Sequence, residues 1–250
     1  MPVKKKTNKA PGSGMTAKQM KRRKPISQEY MLPIEPLTEN QKVMFNAWDE
    51  GKMVYAYGVA GTGKTFVALY KALKEVLDDY SPYEKIYIVR SLVATREIGF
   101  LPGDHEDKSS LYQIPYKNMV QAMFEMPDDN SYEMLYDNLK AQETISFWST
   151  SFIRGTTLDN SIVIIDECQN LNFHELDSII TRVGQDSKII FCGDAAQTDL
   201  IKNNERTGIL DFQKIIMNME EFAMIEFGIE DIVRSGLVKS YLISKLNLGL

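Results

Sequence analysis

Six short runs of apolar, β-branched and aromatic residues recur along the chain, at 53–57, 85–89, 145–148, 161–165, 188–192 and 222–227, with helical periodicity between them. Strands that alternate with helices are joined by crossovers and not by hairpins, so this pattern predicts an α/β domain with a mainly parallel sheet covered by helices on both faces. The run at 162–165, IVII, is apolar at every position, as a central strand buried on both sides requires. Before the first run, residues 31–37 (MLPIEPL) lie among three prolines and predict an extended lead-in. It ends at Thr38, a side chain suited to capping a helix over 39–50. Residues 118–140, with Met119, Met123, Met126 and Met134, predict helices inserted around 105–142, their methionines serving mainly as core filler.

Between the first strand and the next helix stands GVAGTGKT, residues 58–65, a full match to G-x-x-x-x-G-K-[ST]. Its chemistry follows from the residue types. Gly58, Val59, Ala60, Gly61, Thr62 and Gly63 form a loop whose backbone N–H groups can turn toward phosphates. Lys64 reaches the β- and γ-phosphates, and Thr65 offers a hydroxyl to Mg²⁺. The helix that begins there adds the partial positive charge of its N-terminus. The expected ligands are therefore ATP and Mg²⁺. Two further strands fall between this loop and the run at 161–165, which predicts at least one strand beyond the simplest arrangement of such folds and points to their ATPase branch.

Asp166 and Glu167 close the 161–165 strand and emerge at the carboxyl edge of the sheet, where open α/β folds bind ligands. Asp166 is placed to complete a Mg²⁺ shell and Glu167 to orient and deprotonate an attacking water. After the next strand, GDAAQ brings Gln197 to the same edge, within reach of a γ-phosphate or that water. Upstream, the amide of Gln41 carries a donor and an acceptor that match the adenine edge, although a solvent-facing helix glutamine explains the same letter. Charge neutralisation in phosphoryl transfer calls for a guanidinium. The candidates are Arg90, Arg154, Arg182, Arg206 and Arg234, of which Arg234, following the last strand, is best placed. An acid beside the metal acid disfavours a small-molecule phosphotransferase, which must keep water out of the reaction.

Composition changes this picture in two places. Of 29 basic side chains, nine fall in the first 24 residues together with none of the 34 acids. This arm carries too few apolar residues to fold alone and is expected to be disordered; it can meet nucleic-acid phosphates or serve as a solubilising tail. The remainder is strongly acidic, which weighs against a broad nucleic-acid surface on the folded body. No run reaches the roughly 20 apolar residues of a membrane span, and no apolar segment follows the basic start, so a cytoplasmic protein without membrane partners is expected. Cys168 and Cys192 lie at the ends of predicted buried strands and read as small core residues, and His105 and His174 lack partners for a zinc site.

Taken together, GVAGTGKT, GFLPGD (99–104), FIRGTTL (152–158), IIDECQN (164–170), TRVG (181–184), CGDAAQTDL (192–200) and DIVRSGLV (231–238) resemble the PhoH-like proteins, in order and from about Leu37 to the C-terminus. The resemblance implies a single RecA-like P-loop ATPase domain over 37–250, preceded by an arm and lead-in over 1–36. It also implies kinship with superfamily 1 helicases, and action on RNA or single-stranded nucleic acid. One such lobe implies assembly of several chains, and a hexameric ring fits the family. Two departures stand out: Cys168 replaces the alanine of the family's DEAQN, and Ser91 follows Arg90 where the family usually has proline. The stretch before Leu37 is too short for the nuclease domain that some members carry. The alternative to a remodelling ATPase is a nucleotide-dependent module that switches a protein partner.

Overall fold

The computed structural model describes residues 26–90, 105–153, 155–194 and 203–248. The basic arm lies outside them. Six strands form one sheet: β1 (Met53–Gly58), β2 (Lys85–Arg90), β3 (Ile145–Trp148), β4 (Ser161–Asp166), β5 (Lys188–Cys192) and β6 (Phe222–Phe227). Every pairing is parallel and the order is β3-β2-β4-β5-β1-β6. The helices are α1 (Glu39–Asp49), α2 (Lys64–Val76), α3 (His105–Gln121), α4 (Asp129–Ala141), α5 (Thr150–Ile153), α6 (Phe173–Ile180), α7 (Asn203–Met217) and α8 (Gly236–Asn247).

The six apolar runs are the six strands. The two strands that fall between β1 and β4 in sequence, β2 and β3, sit on the outer flank of β4, and the strand that separates β1 from β4 is β5, which follows both in sequence. The inserted strands thus widen the sheet at one edge and leave its middle alone.

Strand alternation divides the core in two. Ile162 and Ile164 face one way, with Met44, Trp48, Leu69, Leu73, Tyr116 and Leu139 from α1 to α4. Val163 and Ile165 face the other, with Leu176, Ile179, Phe212 and Ile216 from α6 and α7. All six residues of β4 are buried, which is why the run at 162–165 between Ser161 and Asp166 is apolar without a break.

Local chemistry fixes the ends of the helices. Thr38 Oγ1 accepts the Gln41 N–H at the start of α1, Asp128 accepts the Ser131 N–H at α4, and Asn172 and Glu175 form a reciprocal capping box at α6. The lead-in over 31–37 is preceded by a single 3-10 turn at Gln28–Tyr30, capped by Ser27, and Met31 after it is extended. It is also pinned down: Ile26 is buried, the Leu32 N–H donates to Met123 O at 2.8 Å, and the Ile34 N–H donates to the Tyr70 hydroxyl at 3.2 Å. Of the insertion's methionines, Met123 is buried, Met119 and Met126 pack against the core, and Met134 is exposed.

Candidate functional site

At the carboxyl edge of β1 the chain turns at Gly58, Gly61 and Gly63, whose φ angles of 116°, 75° and 83° lie where glycine is favoured. Gly58 is required twice over, since a Cβ there would stand 2.2 Å from Phe227 O and force β1 away from β6. The turn delivers Lys64 and Thr65 as the first residues of α2, whose leading N–H groups have no partner within the helix. Lys64 Nζ donates to Val59 O (2.7 Å), Gly58 O (3.2 Å) and Thr62 Oγ1 (3.2 Å). Burial is the main influence on this amine and lowers its pKa; Asp194, Glu167 and Asp166 nearby act in the opposite sense.

The Thr65 hydroxyl donates to Asp166 Oδ1 at 2.6 Å, joining the start of α2 to the end of β4 across 101 positions, although β1, which leads into α2, is not adjacent to β4 in the sheet. The other oxygen, Oδ2, accepts a short hydrogen bond from the hydroxyl of Tyr116 on α3. Arg90 is the register partner of Asp166 across β2 and β4. Burial disfavours its charge, while Tyr116, Asp166 and Glu167 around it more than compensate and raise its pKa.

Glu167 has left-handed backbone geometry, φ 53° and ψ 43°, which is uncommon for a residue with a side chain. The turn brings its carboxylate beside Gln169, whose Nε2 donates to Oε2 at 2.6 Å. Gln169 Oε1 in turn accepts the Asp194 N–H at 2.9 Å. This buried amide therefore joins Glu167 to the turn after β5. Gly193 makes room for the link, because a Cβ there would stand 2.6 Å from Cys168 Sγ and 2.9 Å from Gln169 Oε1. Burial, followed by the charge of Asp166, pushes the Glu167 pKa above the usual carboxylate value; Gln169 and Arg90 counter only part of the shift.

These groups surround a cleft of about 650 Å³, with Ile34, Phe45 and Met119 on its apolar wall. Its size and its mixture of apolar wall and convergent polar groups suit a nucleotide. Gln41 belongs to the cleft and is 4% exposed, with partners on both sides: Oε1 accepts the Leu37 N–H and Nε2 donates to Thr62 O, each at 2.8 Å. It ties the lead-in to the phosphate loop, and one N–H and one lone pair remain for an adenine edge. Arg234 lies over the loop of its own chain: the Val233 N–H donates to Gly61 O at 3.0 Å, and a Cβ on Gly61 would meet Arg234 Cγ at 2.9 Å.

Not every predicted residue arrives here. Gln197, Arg154 and the Arg206 side chain lie outside the described residues. Arg182 is near the opposite edge of the sheet, where its carbonyl accepts the Leu158 N–H ahead of β4. Arg90, another of the guanidinium candidates, lines the cleft. Gln169 and Tyr116 belong to the site without having been anticipated. Gln169 carried a signal, two positions after Glu167 in a motif already singled out. Tyr116 carried none, since nothing in a sequence joins it to an acid 50 residues away.

No group of three or more His, Cys, Asp or Glu assembles as a metal cluster among the described residues. One carboxylate and one hydroxyl beside a phosphate loop are nonetheless the donor set that suits Mg²⁺, which keeps waters and shares phosphate oxygens. Among the described residues, no helix is long and apolar enough to cross a membrane.

The family model described as PhoH-like protein matches residues 33–244. This chain belongs to the PhoH-like protein family. It is 31% identical over 206 residues to a PhoH-like protein of Mycobacterium leprae (strain TN), covering 82% of this chain and 56% of that protein. With a PhoH-like protein of Bacillus subtilis (strain 168) it shares 32% over 210 residues, covering 80% and 60%. The chain thus spans little more than half the length of these PhoH-like relatives. Among solved structures it is similar to the large terminase of a thermophilic bacteriophage, with a TM-score of 0.47 and 12% identity over 83% of this chain and 50% of that one. The all-parallel sheet, with a glycine-rich phosphate loop between β1 and α2, gives this family member the α/β architecture of P-loop proteins.

Proposed function

We propose that this chain binds Mg-ATP in the cleft, hydrolyses it, and couples hydrolysis to remodelling of RNA or single-stranded nucleic acid as a homo-oligomer. The observation that carries the reading is the 2.6 Å contact between Thr65 and Asp166, which unites the phosphate loop with the acid of a non-adjacent strand. In this reading the N–H groups of 59–65 and the Lys64 ammonium hold the β- and γ-phosphates. Thr65 and Asp166 hold the Mg²⁺ ion, which when bound neutralises charge developing on those phosphates. Glu167 orients the attacking water and takes its proton, aided by an elevated pKa that brings its basicity closer to neutral pH. Gln169 fixes the direction of that carboxylate, Gln197 meets the γ-phosphate side, and Gln41 offers its remaining donor and acceptor to the base.

Arg234 acts within its own chain in this account, as its packing over Gly61 suggests. Assembly is head to tail, since contacts of that kind close into rings, and a hexamer fits the family. Nucleic acid is met through the basic arm, because the rest of the chain is acidic. The test is ATP turnover with and without single-stranded RNA or DNA, on the unaltered chain and on Glu167→Gln. Glu167→Gln is expected to keep nucleotide binding and lose about 10²- to 10⁴-fold in turnover. An undiminished rate in that variant refutes the assignment of the base. A wild-type rate indifferent to nucleic acid favours the nucleotide-dependent switch over the remodelling ATPase.

A further inference from the structure

We propose that Tyr116 is a positioning residue for the metal-binding carboxylate, so that the helical insertion is a working part of the nucleotide site. The inference rests on the reading of Thr65 and Asp166 as the Mg²⁺ holders. A carboxylate that binds Mg²⁺ must present one oxygen to the ion at close to octahedral geometry. The structure divides the labour between the two oxygens of Asp166: Oδ1 faces Thr65, and Oδ2 is held by the Tyr116 hydroxyl. A second donor on the far oxygen stops the group from rotating. Tyr116 is suited to this task because a phenol hydroxyl is a neutral donor and brings no positive charge to compete with the ion.

Its own position is well determined. The ring is 2% exposed and packs against Phe147 of β3 with centroids 5.3 Å apart. Arg90 borders both the phenol and the carboxylate. The helix that carries Tyr116 also supplies Pro115, Asn118 and Met119 to the cleft wall. Just beyond its end, Met123 is fixed to the lead-in through the Leu32 N–H. A shift of the insertion would therefore reach Asp166 through a single hydroxyl.

The rival account is a tyrosine buried for packing, whose hydroxyl merely found an acceptor. Binding of a fluorescent N-methylanthraniloyl-ATP to the full chain separates the two, measured in EDTA and across a Mg²⁺ titration. Tyr116→Phe keeps the ring and removes the donor. It is expected to raise the half-saturating Mg²⁺ concentration about tenfold, the size of effect typical of residues that orient a metal ligand, and to leave binding in EDTA unchanged. Phe147→Leu, which loosens the ring and keeps the hydroxyl, is expected to give a smaller shift in the same direction. A Tyr116→Phe titration that superposes on the wild type overturns the proposal. So does a shift to lower Mg²⁺, which would mean that the hydroxyl withholds the carboxylate, and so does an equal loss with and without the metal. If the unaltered chain binds the analogue equally well in EDTA and in Mg²⁺, the metal assignment itself fails, and that failure is visible before any variant is made.

Discussion

Lys64 and Lys188 are both buried lysines, 8% and 4% exposed, at opposite edges of one parallel sheet, and burial lowers the pKa of each. Their partners differ. Lys188 opens β5 with its ammonium 3.6 Å from Glu75, 4.6 Å above the Trp48 ring and hydrogen-bonded to Trp48 O at 3.2 Å; the Trp48 indole donates to the same Glu75. That cluster is closed, its positive charge answered by a carboxylate and an aromatic face. Lys64 is held by neutral oxygens of its own loop, with Asp166, Glu167 and Asp194 ranged about the cleft. A buried cation that leans on neutral acceptors beside an open cleft is poised for an anion from outside, whereas one already matched to an anion serves the fold.

The sharpest way to break this contrast is to remove each ammonium in turn. Lys64→Ala is expected to weaken nucleotide binding about a hundredfold or more, roughly 3 kcal/mol, while the unfolding midpoint moves little, because no carboxylate loses its ion-pair partner. Calorimetric titration with Mg-ATP and a urea melt read the two quantities side by side. If the variant binds as the wild type does, Lys64 is a structural lysine and the contrast is void.

Lys188→Ala should behave in the opposite way. It strips a half-buried carboxylate and an indole of their cation, an injury that costs about 3–5 kcal/mol in a fully buried pair. Glu75 is 29% exposed at its side chain, so solvent recovers part of the loss and about 2 kcal/mol is expected. Lys188→Met, which refills the volume, should lose less. Nucleotide affinity should be untouched in both. A Lys188→Ala protein that fails in nucleotide binding as badly as Lys64→Ala would show that the two edges are not independent.

The same contrast explains how much can be read from the sequence. All six strands are visible as apolar runs because burial on one or both faces leaves a local compositional trace, strongest in 161–166 where every residue is covered. The phosphate loop is visible because its backbone demands glycine at fixed spacing. What stays hidden is set by partners distant along the chain. The order of strands depends on which edge β2 and β3 join, and an apolar run carries no label for that. Gln41 reads as a partner of the base because its amide can do so, but the sequence does not show that the same amide also ties Leu37 to Thr62. The Lys188 cluster unites residues from α1, α2 and β5, and Tyr116 meets Asp166 across the insertion. Neither arrangement leaves a trace in spacing.

The smallest effect, and the most discriminating, concerns Gln169. Its amide spans from Glu167 Oε2 to the Asp194 N–H, so it restrains the proposed base and holds down part of the rise in that residue's pKa. The sign follows directly. Glu167 must be ionised to accept a proton, so turnover falls as pH drops through its pKa, and that limb should already lie above the ordinary range of a glutamate. Gln169→Ala removes a hydrogen bond to the charged form, which raises the pKa further and moves the acidic limb to higher pH. Turnover at neutral pH should fall about tenfold, near 1.4 kcal/mol, through misorientation of the carboxylate, while KM for ATP stays where it was because no phosphate contact is lost. A purely structural glutamine would lower the rate at all pH values and leave the limb in place, and a limb that does not move would detach Gln169 from the chemistry and return it to the fold.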